Sequence, residues 1–451
     1  MSRTALWITF ALAAVIGLLA LALSLSGELD DDEATPLLGI DPARVTAIRL
    51  AEPGRPTLEI RRVAPDTWMM TTGAEDAAPW PVIGARVRTT LRILADATPA
   101  PDAPASKDIE NGAELTLEFD VGESRTLRFG ASRLGGRVAA AVDDGPVVGL
   151  DAALIDALRR EDVLAWRETV ALPLNLRDAS RVRMVAGDRT LALGKVVGEW
   201  SLREPHAARA NQAAAMDLLD ALSRLSVARF IDDPASRDPE TTGLGDPRWT
   251  IGVEQDIREI DGAGEVRVRT VRATLAIGAA ADMEGATAFA SPDAGRTLLV
   301  VRTEALEGVS VDPHAYAARS ATDVLPSNVG MIILSFADGR ESGYRRGLDG
   351  WRSLTAQGLL ADAPPEAEID ALLVFLSSRI APVVRLGGAD AQEAEGFVPA
   401  GAVRLLGFSE EPLDVIEFGA VASEPDAPAL RSADALRVYP GATAPALLTS
   451  R

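Results

Sequence analysis

"FADGRESGYRRGLDGWRSL", residues 336–354, is the stretch whose reading decides the fold. A strand enters, Asp338-Gly339 turns it, a second strand leaves, and a glycine loop delivers Trp351. Asp-Gly between alternating apolar positions is hairpin chemistry, because tight hairpin turns need positive φ angles that glycine adopts without cost. The chain writes the phrase twice more, as "VTAIRLAEPGRPTLEIRRVAPDTWMM" (45–70) and "SRVRMVAGDRTLALGKVVGEWSL" (180–202). Gly54, Gly187 and Gly339 precede Trp68, Trp200 and Trp351 by 14, 13 and 12 residues. Alternation at Ile48/Leu50, Val182/Met184 and Ile332/Leu334/Phe336 marks half-buried antiparallel strands.

The sequel to each tryptophan recurs as well. Ile83/Val87/Leu91/Leu94, Leu218/Leu219/Leu222/Leu225 and Ile369/Leu372/Leu373/Leu376/Ile380 are spaced as one apolar stripe per helix. Asn211 suits the N-cap of the second helix, and Pro364-Pro365-Glu366 the first turn of the third. A second β block then ends in the same tripeptide type: "LRFGAS" at Gly130, "LAIGAA" at Gly278 and "IEFGAV" at Gly419. Glycine there marks a bulge or tight turn where a side chain would clash. Hairpin-Trp, helix and strand-Gly in one order, three times over, predict three tandem modules at 39–172, 173–325 and 326–451. "LPLNLRD" (172–178) and "DVLPSN" (323–328) are the expected junctions, since the residue before proline disfavours helix. "PAPDAPASKD" (99–108) reads as a loop inside the first module.

Composition narrows the function. The 451 residues carry 66 acidic and 45 basic side chains, a formal charge of −21, so nucleic acid is not an expected partner. Hydrophobic residues make up 47%, enough for sizeable cores. There is no cysteine, which removes disulfides, thiolate nucleophiles, Cys-ligated zinc and a lipobox anchor. His206 and His314 are the two histidines, far apart in sequence.

"ALWITFALAAVIGLLALALSL", residues 5–25, has no charge, and 21 residues at about 1.5 Å each would span roughly 30 Å of bilayer. Arg3 before it and "GELDDDE" after it predict a cytoplasmic N-terminus and a periplasmic body. The expectation is thus an inner-membrane, single-pass protein with a transmembrane anchor over 1–27 and an acidic stalk over 28–38. A cleaved signal peptide is the rival reading, although such apolar cores usually run only about 7–15 residues. The expected fold class is α+β: one N-terminal transmembrane helix, then three modules, each a twisted antiparallel sheet with a packed helix.

No catalytic, cofactor or metal site emerges from the residues. Gly243-x-Gly245 lacks the third glycine of a dinucleotide loop, and "ELDDDE" (28–33) lacks the spacing of a calcium loop. Trp68, Trp200 and Trp351 either form contact points for a partner or glycan, or plug the junction of hairpin and helix; the structural role is the expectation.

The hairpin-Trp pattern, the "LL..L" helix, the strand-Gly block, "TTGLGDPRWTIGVE" (241–254) and the closing "VVGLDAALIDALRR" (147–160) together resemble the family known as domain of unknown function 4340. The third module departs from it, because "LRVYPGATAPALLTSR" (436–451) lacks the closing helix. The resemblance covers 39–451 and implies no catalytic residues. It implies a bacterial membrane-anchored protein with tandem copies, some of whose relatives are encoded beside ABC-type transporters. The functional expectation is a non-enzymatic binding or scaffolding component of an envelope complex, partnered by envelope or inner-membrane proteins such as transporter subunits. The alternative is an extracytoplasmic hydrolase using a carboxylate pair in a cleft between modules.

Overall fold

The computed structural model describes residues 36–449 except 73–78, 100–108, 111, 234–235, 237, 261–263, 355–365 and 388–395. Up to Glu168 the described residues form one compact unit, and from Thr169 onward a second. The first unit holds one sheet and the second holds two.

In the first unit β1 (Val45–Ala51), β2 (Leu58–Ala64), β3 (Thr67–Thr71) and β4 (Trp80–Val82) run as a meander. Helix α1 (Gly84–Asp96) then leads to a second meander of β5 (Ala113–Phe119), β6 (Ser124–Leu134), β7 (Arg137–Val142) and β8 (Val148–Asp151). The leading strands of the two meanders pair antiparallel, so the sheet reads β4-β3-β2-β1-β5-β6-β7-β8. Register aligns the apolar alternates: Leu58, Leu50, Leu115 and Leu127 form one buried row across four strands. Val87, Leu91 and Leu94 of α1 close the core over that row. Each such side chain removed from water contributes about 1.5–3 kcal/mol.

The second unit repeats the plan twice. Its first sheet runs β12-β11-β10-β9-β14-β15-β16-β17-β13, from β9 (Ala179–Ala186), β10 (Arg189–Val196), β11 (Glu199–Glu204), β12 (Ala208–Arg209), β13 (Val227–Ile231), β14 (Trp249–Ile260), β15 (Val266–Ala280), β16 (Thr287–Ser291) and β17 (Leu298–Arg302). Helix α2 (Gln212–Ser223) stands between the meanders, with Asn211 accepting from the amides of Ala213 and Ala214 as its N-cap. The other sheet runs β20-β19-β18-β22-β23-β24-β25-β21, from β18 (Met331–Phe336), β19 (Glu341–Gly347), β20 (Gly350–Leu354), β21 (Val383–Leu386), β22 (Phe397–Leu406), β23 (Pro412–Val421), β24 (Glu424–Arg431) and β25 (Ala435–Val438). Its helix α3 (Glu366–Ser378) buries Ile369, Leu372, Leu373 and Leu376. In both sheets the strand after the helix, β13 or β21, closes the outer edge of the second meander. A 3-10 turn leads into each first strand: Pro42–Arg44, Leu176–Asp178 and Pro326–Asn328.

Three expectations are corrected. The α+β class gives way to a mostly antiparallel-sheet architecture, with 46% of the described residues in strand and 20% in helix; one long helix serves each eight- or nine-stranded sheet. No helix among the described residues is long and apolar enough to cross a membrane, so the single-pass, inner-membrane and periplasmic placement is not supported. The stretch 5–25 that prompted it, and the acidic run 28–33, lie outside the described residues. Finally, the third module does end in helix, one turn at Ala446–Thr449 that buries Leu447 and Leu448.

Candidate functional site

The three tryptophans occupy one position in the plan, the strand third in each first meander: β3, β11 and β20. That strand follows a second tight turn, so the phrase that opens each sheet is a three-stranded meander. Each ring is buried, and each is capped by a cation from its cross-strand partner. Arg62 lies 4.9 Å from the Trp68 ring centre, Lys195 5.1 Å from Trp200, and Arg346 5.5 Å from Trp351. All three indole nitrogens lack a hydrogen-bond partner among the described residues. Beside Trp200 the first residue of α2 ties the strand to the helix: Gln212 Oε1 accepts from the Trp200 amide (2.8 Å), and Gln212 Nε2 donates to the Trp200 carbonyl (2.9 Å). The rings face inward and offer no stacking platform at the surface.

Gly130, Gly278 and Gly419 lie within β6, β15 and β23, and each marks a shift in ladder register with the next strand. Their role is close approach. A Cβ on Gly278 would sit 2.2 Å from the Thr242 carbonyl oxygen, and one on Gly419 2.1 Å from that of Val398. At Gly130 the neighbour is Gly112, whose own Cβ would sit 2.0 Å from the Phe129 carbonyl oxygen.

The faces turned to solvent carry the chemistry. In the first sheet Arg49 lies 3.1 Å from Glu118, and Arg61 lies 2.6 Å from Glu59, two cations against two anions. In the third, Arg404 meets Glu341 at 2.7 Å and Arg345 meets Glu410 at 2.9 Å. The face of the second sheet is different. A groove of about 670 Å³ there is lined by Arg181, Arg183, Arg203 and Arg272, against only Glu204 and Glu254. Cross-strand register sets the pattern: Ala192, Arg183, Gly252 and Thr274 form one row, and Gly194, Arg181, Glu254 and Arg272 the next. Glu254 is held between Arg181 (3.3 Å) and Arg272 (2.8 Å), and Arg183 meets Glu204 at 3.2 Å. Arg203 has no acidic partner among the described residues, and its side chain lies over Gly194, where a Cβ would stand 3.4 Å from its Cγ and Nε. Sequence reading passed over these arginines. The signal was present in "RVRM", where two arginines alternate along a strand whose other face is core.

A second charged cluster is buried. Asp434, in the turn between β24 and β25, accepts from the Arg209 amide at 2.8 Å and lies 3.4 Å from the guanidiniums of both Arg209 and Arg437. Burial alone would raise its pKa; the Arg437 and Arg209 charges and the Ser432 hydroxyl overcome that and hold it at about 2. Burial pushes the neighbouring Tyr439 phenol up to about 12. Arg437 also donates to the Ala318 carbonyl at 3.1 Å, so the cluster ties the second sheet's edge strand β12 to the third sheet. It is packed among strands and carries structure.

His206 and His314 are both exposed and far apart in the chain. Among the described residues no group of three or more His, Asp or Glu side chains is placed to hold a metal ion.

A family model described as a domain of unknown function (DUF4340) matches residues 74–247 and again 200–397. The two windows are out of phase with the sheets. The first runs from the end of one first meander to beyond α2, and the second from Trp200 to the start of β22. No curated protein matches the chain.

Proposed function

Because the chain belongs to the family of the domain of unknown function DUF4340, we propose that it acts as a non-enzymatic binding or scaffolding component of a protein assembly. Three sheets are built on one plan, and the open face of the second carries the binding surface. The observation that carries this reading is the excess of arginine over glutamate in the groove on that face, against a chain whose formal charge is −21. A local surplus of positive charge on a net-negative molecule steers a partner's carboxylates to that one face, since the rest of the surface repels them. Subunits of an ABC-type transporter are the partners that the family resemblance puts first.

The test is capture from the organism that makes the protein. The tagged full chain is cross-linked in growing cells, and the co-purifying proteins are identified. A small, reproducible set in fixed proportion is the expected result. Recovery of only the abundant proteins of the lysate would overturn the reading.

A further inference from the structure

We infer that the groove on the second sheet receives an extended, carboxylate-rich segment of a partner protein, with its side chains set against Arg181, Arg183, Arg203 and Arg272. The inference rests on the binding role above and names what is bound.

Spacing comes first. Arg181 and Arg183 alternate on β9 and stand on one face, so their side chains rise about 6.8 Å apart. An extended peptide with a carboxylate at every second residue places them at the same interval. Between the arginines Gly252 raises no side chain and is partly exposed, which lets a backbone come close, whereas Ala192 is buried and Gly194 lies under the Arg203 side chain. At Gly252 the nearest atom to an added Cβ is 3.9 Å away, so its bareness answers no packing need within the chain.

Exchange comes second. The side chains of Arg181, Arg183 and Arg272 are 58%, 52% and 71% exposed, and ion pairs this open are worth little in water. A partner's carboxylates can therefore replace or join Glu204 and Glu254 at small cost. Arg203 has no such pair among the described residues.

The occupant's other half is written in the ribbon beyond the groove. Past Gln255, β14 leaves β9 and continues paired with β15 alone among the described strands. The face bearing Glu254 and Arg272 runs on to Ile260, Val266 and Val268, which are 75%, 62% and 60% exposed. A segment acidic where it crosses the arginines and apolar where it follows the ribbon would cover both. The −21 formal charge disfavours a long phosphate chain, which would meet repulsion outside the groove.

A short fluorescein-labelled peptide of alternating Glu and Val serves as probe for the full chain, read by anisotropy. Saturable binding that weakens with salt is expected, falling about tenfold in the double variant Arg183→Glu, Arg203→Glu. The same peptide with Gln for Glu should not bind. Equal binding of the Glu peptide to the double variant, or equal binding of the Gln peptide, overturns the inference. So does tighter binding to phosphatidylserine vesicles than to the peptide, which would make the face a lipid surface. The milder Arg203→Gln, at a residue with no acidic partner among the described residues, should also weaken binding of the Glu peptide and keeps the test valid if the double variant unfolds. Cross-linked capture separates the two levels. Partners kept by the double variant sink the groove alone, whereas no defined partner on the native chain sinks the binding role itself.

Discussion

Val197 sits at φ +50° in the tight turn between β10 and β11, followed by Gly198 at φ +90°. Paired positive φ values are what a two-residue hairpin turn requires, and a β-branched residue adopts the first only under strain. Its side chain is fully exposed and packs on nothing. Val197→Asn gives the Asn-Gly pair such turns favour, and thermal unfolding should show a gain of about 0.5–1 kcal/mol. Asp-Gly announces the turn at Asp338-Gly339, whereas Val-Gly carries no such signal for the turn between β10 and β11. The tryptophan position was legible from spacing; the cation over it was not, because Lys195 meets Trp200 only once that hidden turn sets the register. Since the indole nitrogen has no partner among the described residues, Trp200→Phe forfeits volume and no hydrogen bond found there. Denaturant titration should place its cost well below the roughly 3–5 kcal/mol expected for Trp200→Ala.

At the scale of the element, glycines that look alike in sequence do different work. Gly278 in β15 and Gly252 in β14 each follow a buried isoleucine, Ile277 and Ile251. An alanine methyl at Gly278 would meet the Thr242 carbonyl oxygen at 2.2 Å and the Gly243 carbonyl carbon at 2.8 Å, backbone that cannot yield without moving a strand. Gly278→Ala should therefore cost about 3 kcal/mol or more, while Gly252→Ala stays within about 0.5 kcal/mol. Equilibrium unfolding of the two variants side by side checks the contrast, and equal costs would refute close approach as the reason for the glycine. Sequence marked Gly130, Gly278 and Gly419 through their recurrence, since the tripeptide around each is local. It did not disclose the segments that cross them, because Thr242 and Gly243 approach Gly278 from more than thirty residues away. Strands β13 and β21 escaped for a related reason: each is short, follows a helix, and finds its partner at the far edge of the second meander. The arginine groove lies between these cases. Its alternation is written in β9, but its floor includes Ala192 and Gly252 on the strands either side.

Across the whole unit from Thr169 onward, the link between its two sheets depends on groups that no local pattern joins. Arg209 and Asp434 are 225 positions apart in the chain. Arg437 has a side chain only 1% exposed, so its charge is tolerable only while Asp434 is ionised beside it. The sign of the pH effect follows. Asp434 titrates at about 2 in the fold against an ordinary 3.8, so in acid the unfolded chain binds the extra proton. Its contribution is whole above about pH 4 and is lost as pH falls through 2, an effect of about 2 kcal/mol. Asp434→Asn removes that dependence and leaves the Arg437 guanidinium buried without its counter-ion. At pH 7 the variant should be less stable by about 3 kcal/mol, and the gap between it and the native chain should narrow as pH drops from 4 to 2. Denaturant midpoints at a series of pH values read both quantities. A gap that stays constant with pH would mean that the guanidiniums around Asp434 do not hold its charge, and the two sheets would then be joined by apolar packing and backbone hydrogen bonds such as Ala318 to Arg209 at 2.9 Å.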